Sequence, residues 1–181
     1  RKYKKNKNAK PLILMGYYQM IFNYGEHKFI KKCKEVGVNG LIVVDLSYPD
    51  NKKFAQLCKK NSICFVQLIA PTTNKERIKK IIKISHEMVY MISMISTTGS
   101  ALKVTTKKIM ENYQLIKKIS PSKNVAIGFG ITEKTIKSLK KADGLVVGSA
   151  ICKEISKSIK SRQNAVTNVT KVVKRLKNKI I

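Results

Sequence analysis

The sequence predicts an α/β fold built from repeated strand–helix units. Short apolar runs rich in β-branched residues alternate along its 181 residues with polar stretches of helical period. Successive runs start 20 to 37 residues apart, which leaves room for a strand, a crossover helix and two short loops. Runs such as GLIVVDL and GLVVGSA are apolar almost throughout, as is typical of strands covered on both faces. We therefore expect parallel strands joined by right-handed crossovers.

Six strands are predicted, and six amphipathic helices lie between and after them. The strands are 12–16, 41–46, 63–69, 88–93, 125–131 and 145–149. The helices are 27–36, 52–61, 74–85, 105–119, 132–141 and 164–179. Gly37, Pro71 and Pro121 stand at helix boundaries, where glycine and proline are the usual stop and start signals. No linker or composition break divides the chain, so residues 1–181 are expected to form a single domain.

Six such units can form an open doubly wound sheet or most of an eight-stranded (β/α)8 TIM barrel. Periodicity alone does not separate the two, because both are built from the same unit. A complete barrel normally takes about 200 to 250 residues. The chain begins with Arg1 rather than Met, in a basic segment without the apolar core of a secretory signal. We therefore expect a piece of a longer protein and, for a barrel, six of eight units.

The composition excludes several classes of protein. Apolar residues make up 43% of the chain and charged residues 27%, close to the averages of globular domains, so neither a disordered nor a collagen-like chain is expected. No apolar run approaches the ~18 residues that cross a bilayer, so we predict no membrane association.

The cysteines and histidines predict no metal centre. The four cysteines, at positions 33, 58, 64 and 152, show neither the paired spacing of a zinc site nor the density of a disulfide framework. We expect them to be small core residues of a protein from a reducing compartment. His27 and His86 have no cysteine or carboxylate partner at ligand or triad spacing, so neither is predicted to be catalytic.

A net charge of +28 raises the question of nucleic-acid binding, since Lys and Arg neutralise phosphates. Only four of the 38 basic residues are Arg, the residue that makes bidentate base and phosphate contacts. The lysines recur in every predicted helix rather than on one element. We expect solvated lysines and no nucleic-acid partner, although the field favours any anionic ligand. A basic nucleic-acid-binding module, with steeply salt-dependent RNA affinity, remains the alternative from another class.

Two glycine-containing strand ends predict a phosphate site. VAIGFGI, at 125–131, runs into a predicted helix, and LVVGSA, at 145–150, ends the last predicted strand. Glycine at such a turn lets backbone N–H groups approach an anion, and a helix N-terminus adds partial positive charge. In barrels the loops after strands 7 and 8 frequently hold phosphate. Ordinary tight turns remain the alternative. Neither GxGxxG nor GxxxxGK[ST] occurs, so no dinucleotide or Walker-type site is expected.

Other candidate residues follow strand ends, and each has an alternative role. Asp45 ends an apolar strand, where a carboxylate either binds a ligand or accepts a hydrogen bond from a loop N–H. The polar loop 97–100 is a lid, a third set of phosphate donors or a plain connection. Tyr17, Tyr90 and Phe129 either line an apolar pocket for a flat ligand or pack in the core.

Together these stretches resemble the tryptophan synthase alpha subunit family, whose members are phosphate-binding TIM barrels. The resemblance rests on six segments in the family's order. They are PLILMGYYQMIFNYG, VGVNGLIVVDL, IAPTT, YMISMISTTG, VAIGFGI and ADGLVVGSAI. They span essentially the whole chain, and the resemblance makes the six predicted strands the third to the eighth of the barrel.

The resemblance implies a lyase of tryptophan biosynthesis, which cleaves indole-3-glycerol phosphate to indole and glyceraldehyde 3-phosphate by a retro-aldol reaction. It implies an α2β2 heterotetramer in which the beta subunit carries pyridoxal phosphate, and no cofactor in this chain. By the family's pattern, four residues bind the phosphate through backbone N–H groups: Gly99, Gly130, Gly148 and Ser149. Five surround the indole and glycerol portions: Tyr17, Asp45, Tyr90, Thr98 and Phe129.

The family's two catalytic carboxylates, by the same resemblance, belong upstream of Arg1. No Glu or Asp in the 181 residues matches their motifs, so no catalytic residue is assigned and the isolated chain is expected to be inactive. Gln19 and Met20 stand where the family commonly has Asn-Pro, within the expected beta-subunit contact, around 19–24. Ser96 and Thr97 replace the family's Gly-Val in the loop near position 98.

Two further expectations concern location and related enzymes. Bacterial cytoplasm is expected, or a plastid stroma if the Lys, Ile and Asn bias reflects an AT-rich organelle genome. Another phosphate-binding barrel, such as an indole-glycerol-phosphate synthase or a histidine-pathway isomerase, is the alternative enzyme. Those families lack the combination of MGYY and Thr-Thr-Gly found here.

Overall fold

The computed structural model has an α/β fold with parallel strand pairs, as predicted. It describes residues 2–92, 94–97, 100–103, 105–128, 131, 133 and 135–180. The chain divides into two units. Unit one comprises Arg1–Ile69 and Thr73–Tyr90, and unit two comprises Ala70–Thr72 and Met91–Ile181.

Unit one contains a sheet of three short parallel strands, β1 (Ile13–Gly16), β2 (Gly40–Val43) and β3 (Cys64–Phe65). It also contains β4 (Gln67–Ile69) and the first three residues of β5 (Met88–Ile92). β2 lies between β1 and β3, with Ile13 opposite Gly40 and Gly16 opposite Val43. β4 pairs with β5. Because β2 is buried along its whole length, its sequence is apolar without alternation.

Capping residues mark the start of one helix in unit one and the end of another. They are α1 (Tyr18–Tyr24), α2 (Glu26–Val36), α3 (Lys52–Lys60) and α4 (Lys75–Ile84), preceded by a 3₁₀ turn, Tyr3–Lys5. The Asn74 side chain accepts a hydrogen bond from the Arg77 N–H and so caps α4. Gly37 ends α2 in the left-handed region, at a φ of 81°, and its N–H donates to the carbonyl oxygen of Cys33.

Aromatic and aliphatic side chains of α2, α3 and the strands form the core of unit one. Phe54 and Phe65 meet edge to face, with ring centroids 5.5 Å apart. Cys33 and Cys58 are buried in this core, as predicted. The same prediction is wrong for Cys152, which is exposed.

Unit two contains one antiparallel and one parallel strand pair. Its further strands are β6 (Met94–Thr97), β7 (Ser100–Lys103), β8 (Asn124–Gly128) and β9 (Gly144–Val146). β6 and β7 are antiparallel, with Met94 opposite Lys103. β8 and β9 are parallel, with Ala126 opposite Gly144. The antiparallel pair was not expected, because the sequence of this segment predicts only a polar loop.

The described residues of unit two also form three α-helices. They are α5 (Thr106–Ile119), α6 (Ser149–Lys160) and α7 (Ala165–Lys177), with a 3₁₀ helix, Ile136–Leu139, between β8 and β9. The Asn164 side chain accepts from the Thr167 N–H and caps α7. α6 and α7 pack together, and Asn168 Nδ2 donates to the buried Ser158 Oγ at 3.1 Å.

One helix prediction in unit two is wrong and one helix was missed. Within the range predicted as a helix, 132–141, the described residues form a 3₁₀ helix, Ile136–Leu139, whose two end residues are buried. A spacing of three aligns side chains on a 3₁₀ turn. α6 was not predicted, although isoleucines at 151, 155 and 159 have the spacing of one helix face. Because α6 starts at Ser149, the strand predicted at 145–149 ends at Val146.

The remaining differences lie at strand ends and at α1. The strand predicted at 63–69 is interrupted at Val66. Of the strand predicted at 125–131, the structure describes a strand as far as Gly128, Ile131 is outside any strand, and 129–130 lie outside the described residues. α1 was not predicted, because seven residues are too few for a helical period to stand out in the sequence. Among the described residues, no helix has the length and apolarity needed to span a membrane.

Asp143 joins α5 to the start of β8. Its Oδ2 accepts hydrogen bonds from the Val125 N–H at 2.9 Å and from Lys117 Nζ at 3.1 Å, and its Oδ1 accepts from the Tyr113 hydroxyl at 3.1 Å. Burial by itself would raise the pKa of Asp143, but these three donors outweigh it and lower the pKa. The ionised carboxylate therefore stabilises unit two at neutral pH.

We expect Asp143→Asn to destabilise the protein by about 1 to 3 kcal/mol at pH 7, because the neutral amide loses the ion pair with Lys117 and has one acceptor oxygen fewer for the three donors. The folded-state pKa of Asp143 lies below its ordinary value of 3.8. Its contribution is therefore complete above that value and disappears as the pH falls through the lowered pKa. Urea unfolding of the unaltered chain and of the Asp143→Asn variant, from pH 7 to pH 2.5, measures the difference between their free energies of unfolding. This difference should become smaller as the pH falls.

Glu111→Gln is the matched control, because Glu111 forms an exposed pair with Lys108 on the same helix. It should change the free energy of unfolding little at any pH. An equal loss in both variants, or a difference that does not narrow in acid, contradicts the role assigned to Asp143.

Candidate ligand-binding residues

Tyr17 stands at the junction of β1 and α1. It has extended backbone angles and precedes the first residue of the helix. Its side chain is 63% exposed. A large aromatic side chain in that position is available to contact a flat ligand or another protein.

Asp45 lies beside this junction, two residues after the end of β2. Its Oδ1 accepts a hydrogen bond from the Tyr18 N–H at 2.7 Å. The first N–H groups of a helix have no acceptor within the helix, so Asp45 caps α1 from a different part of the chain. The sequence had left open a hydrogen bond from a loop N–H as one of two roles, and the donor is instead the first N–H of a helix. The side chain is exposed, and ligand contact by Asp45 stays a prediction.

A buried pair of amides supports the segment that carries Asp45. Asn51 Nδ2 donates to Gln67 Oε1 at 2.7 Å and to the Leu46 carbonyl oxygen at 3.3 Å. Asn51 Oδ1 and Gln67 Nε2 are buried and have no hydrogen-bond partner. A buried polar atom without a partner costs about 1 to 3 kcal/mol. Sequence analysis missed this pair, because nothing in a single sequence indicates which polar residues meet 16 positions apart.

Tyr90 lies in β5 and is buried, with 6% of its surface exposed. Burial raises the pKa of its hydroxyl, so the group stays protonated at neutral pH. A ligand role for Tyr90 is therefore a prediction about a largely enclosed side chain.

Gly148 and Ser149 lie at the N-terminus of α6, in unit two. Gly148 is the residue before the helix, and no side chain hydrogen-bonds to the first helical N–H groups from that position. A Cβ added to Gly148 meets no atom within 4 Å, and its φ of −111° is accessible to any residue. The protein itself therefore gives no steric reason for glycine there, whereas a ligand seated against the backbone would give one.

Four predicted site residues lie outside the described residues: Thr98, Gly99, Phe129 and Gly130. The predicted convergence of Gly99 and Gly130 with Gly148 and Ser149 on one phosphate thus stays a prediction. Within unit one, the structure brings the segments of Tyr17 and Asp45 together through the Tyr18 N–H.

One group of potential metal ligands occurs among the described residues. Cys64, His86 and Glu87 place one donor atom each within 4.8 Å of one another. The sequence spacing had predicted no cysteine ligand beside His86, because Cys64 lies 22 positions away in the chain. His86 Nδ1 accepts a hydrogen bond from the Phe65 N–H at 2.9 Å, and burial lowers the pKa of His86. Burial and a hydrogen bond with Glu87 raise the pKa of Cys64 to about 11, so its thiol is protonated at neutral pH. A cation there would first have to displace that proton.

Comparison with known proteins assigns a family. The family model described as tryptophan synthase alpha chain matches residues 1–181. The chain belongs to the tryptophan synthase alpha chain family. The tryptophan synthase alpha chain of Pelagibacter ubique is 65% identical over 99% of this chain and 68% of its own length.

Solved tryptophan synthase alpha chains share the fold, which is a TIM barrel. The alpha subunit from Legionella pneumophila superposes with a TM-score of 0.85 at 25% identity, over 99% of this chain and 66% of its own. A Pyrococcus furiosus chain, from a structure titled as the tryptophan synthase α2β2 complex, gives 0.77 at 32% identity, over 99% and 68%. The chain thus spans about two thirds of the length of these tryptophan synthase alpha chains.

We expect Asp45→Ala to destabilise the protein by about 1 kcal/mol, the usual effect of losing a helix N-cap. Asp45→Asn should recover much of the loss, because the amide oxygen still accepts from the Tyr18 N–H. Urea unfolding followed by circular dichroism measures these changes. Asp50→Ala, an exposed carboxylate of the same loop, is the control and should have little effect. Equal losses at positions 45 and 50 would show that Asp45 does not cap α1.

Proposed function

We propose that this chain carries the phosphate- and indole-binding part of a tryptophan synthase alpha subunit. The whole enzyme would cleave indole-3-glycerol phosphate to indole and glyceraldehyde 3-phosphate, and would act in the cytoplasm of a bacterium. Family membership supports the substrate class. The observation that carries the proposal is Gly148 at the N-terminus of α6, where a Cβ would meet no protein atom within 4 Å and no side chain caps the helix.

The proposed binding chemistry follows from the two described sets of residues. The N–H groups of Gly148 and Ser149 would donate hydrogen bonds to phosphate oxygens. The partial positive charge at the N-terminus of α6 would favour the doubly charged phosphate group. Tyr17 would contact an indole ring, and Asp45 a polar group. The surplus of lysines raises the local concentration of any anionic substrate.

Cleavage needs an acid at indole C3 and a base at a glycerol hydroxyl, held on opposite sides of the substrate. None of the ten Asp and Glu residues matches the family's catalytic pair. We therefore propose that the 181 residues bind substrate without cleaving it. The chain itself would hold no cofactor, and pyridoxal phosphate would belong to a partner beta subunit.

We expect Gly148→Ala to lower the affinity for indole-propanol phosphate at least about tenfold, because the new methyl group occupies the approach to the N–H groups. The melting temperature should stay within about 2 °C, since the Cβ meets no protein atom. Isothermal titration calorimetry measures the affinity, and a parallel assay of the unaltered chain should detect no indole release.

Gly144→Ala is the matched control, at the other end of the same strand. Its Cβ would make an ordinary contact of 3.9 Å with Ala126, so both affinity and stability should be kept. Absence of binding by the unaltered chain would contradict the proposed function. So would equal affinities of the position 148 variant and the unaltered chain, or release of indole.

The proposed partner is a tryptophan synthase beta subunit, bound at α1. Met20 is 73% exposed, Phe22 61% and Tyr24 46%, so this short helix presents large apolar side chains to solvent. Such a patch is typical of a protein interface. Gln19 Nε2 donates to Asn23 Oδ1 within the helix, so replacement of the family's common Asn-Pro leaves α1 intact.

We expect Phe22→Asp to weaken binding to a purified tryptophan synthase beta subunit at least about tenfold, because the interface would bury an unpaired carboxylate. Val166→Asp on α7 is the control, since Val166 is 77% exposed and lies outside the proposed contact. Calorimetric titration distinguishes them. Unchanged affinity at position 22, or an equal loss at position 166, would overturn the proposed contact.

A further inference from the structure

A chain of hydrogen bonds in unit one connects β4 to α1 through the segment that carries Asp45. Gln67, in β4, accepts from Asn51 Nδ2 at 2.7 Å. The same nitrogen donates to the carbonyl oxygen of Leu46 at 3.3 Å. Asp45, the preceding residue, accepts from the Tyr18 N–H at 2.7 Å. The hydrogen bonds at Gln67 and at Tyr18 each join the loop between β2 and α3 to another element, and the bond to Leu46 lies within that loop.

The orientation of both amides is fixed by their neighbours. Asn51 Nδ2 faces two oxygen atoms, so rotating the amide would place Asn51 Oδ1 against the Leu46 carbonyl. Gln67 must then present its oxygen to Asn51. Asn51 immediately precedes α3, where asparagine commonly caps a helix, yet its side chain makes no cap hydrogen bond. Capping α3 therefore does not explain this residue.

Asn51 binds the loop between β2 and α3 at Leu46, between two other hydrogen bonds that connect this loop to the rest of unit one. The Val44 N–H donates to the Gly16 carbonyl oxygen at 3.0 Å, which fixes the start of the loop. Arg77 Nη2 donates to the Tyr48 carbonyl oxygen at 3.0 Å, which fixes its far part. Leu46 lies between these points, next to Asp45, and its carbonyl is held by the buried amide pair.

We propose that Asn51 and Gln67 are positioning residues that hold Asp45 in place for ligand binding. The pair leaves two of its own buried polar atoms, Asn51 Oδ1 and Gln67 Nε2, without hydrogen-bond partners, a cost that an apolar pair of similar volume would not carry. Their role at Asp45 explains why polar residues occupy this part of the core. The ligand half of this inference rests on the proposed function, whereas the positioning of Asp45 does not.

The test is the double variant Asn51→Ala with Gln67→Leu, which removes all four side-chain polar atoms. The Tyr18 amide hydrogen reports on Asp45, and its exchange rate is measurable by NMR without any ligand. We expect exchange at Tyr18 to become about tenfold faster under conditions in which the double variant stays folded. Gln67→Glu keeps an oxygen acceptor for Asn51 and should retain the original exchange rate.

Asn61→Ala is the matched control, because Asn61 Nδ2 donates to the Leu57 carbonyl oxygen at 2.9 Å in the same unit. It should leave Tyr18 exchange unchanged. An unchanged rate in the double variant, or an equal rise in the control, would overturn the proposal. Gln67→Met alone removes the acceptor with little change in volume, and the same criteria apply to it if the double variant does not fold.

The ligand measurement separates this inference from the proposed function. If the unaltered chain binds indole-propanol phosphate, the double variant should bind it at least about fivefold more weakly at a temperature at which both proteins are folded. If the unaltered chain does not bind, the proposed function fails, and the Tyr18 exchange rates still decide whether Asn51 and Gln67 position Asp45. Full affinity in a double variant that retains its fold would contradict the ligand role of the pair.

Discussion

The close approach of β2 to its two neighbours is the constraint on which the organisation of unit one depends. A Cβ at Gly40 would lie 2.9 Å from the Cys64 carbonyl oxygen and 3.3 Å from Ile13 Cγ1, so only glycine fits between the flanking strands. The resulting register sets Gly16 beside Val43. β1 and β2 therefore end together, which brings Asp45 to the first turn of α1. A shift of one residue would turn the side chains of β2 to the opposite faces and separate Asp45 from its donor.

The sequence predicts strands and capped helices well, because their signals are local. β1, β2 and β5 lie within two or three residues of their predicted ends, and Asn74, Thr105 and Asn164 cap the helices that follow them. Elements that depend on contacts elsewhere were missed. The seven residues of α1 are too few for a helical period to stand out in the sequence. The 3₁₀ helix at Ile136 follows from where two side chains are buried, which the sequence does not specify.

The candidate site divides in the same way. Asp45 and Gly148 could be selected from sequence, since a carboxylate or a glycine at a strand end is a local signal. The partner of Asp45 could not, because the Tyr18 N–H lies 27 residues away and becomes adjacent only through the parallel register. The pairing of Asn51 with Gln67, and of His86 with the Phe65 N–H, likewise depends on packing between elements. Polar residues inside a core carry no periodic pattern by which a sequence could reveal their partners.

The position of α1 has a mechanical consequence. One end of this short helix receives its cap from Asp45, while its outer side presents Met20 and Phe22 to solvent. The seven residues span about 10 Å, so the capped end and the exposed side of α1 belong to one short element. Loss of the cap would therefore also loosen the surface that Met20 and Phe22 form. Under the proposed function, ligand contact at Asp45 and partner contact at α1 would be coupled, and linkage requires their effects on each other to have equal free energies.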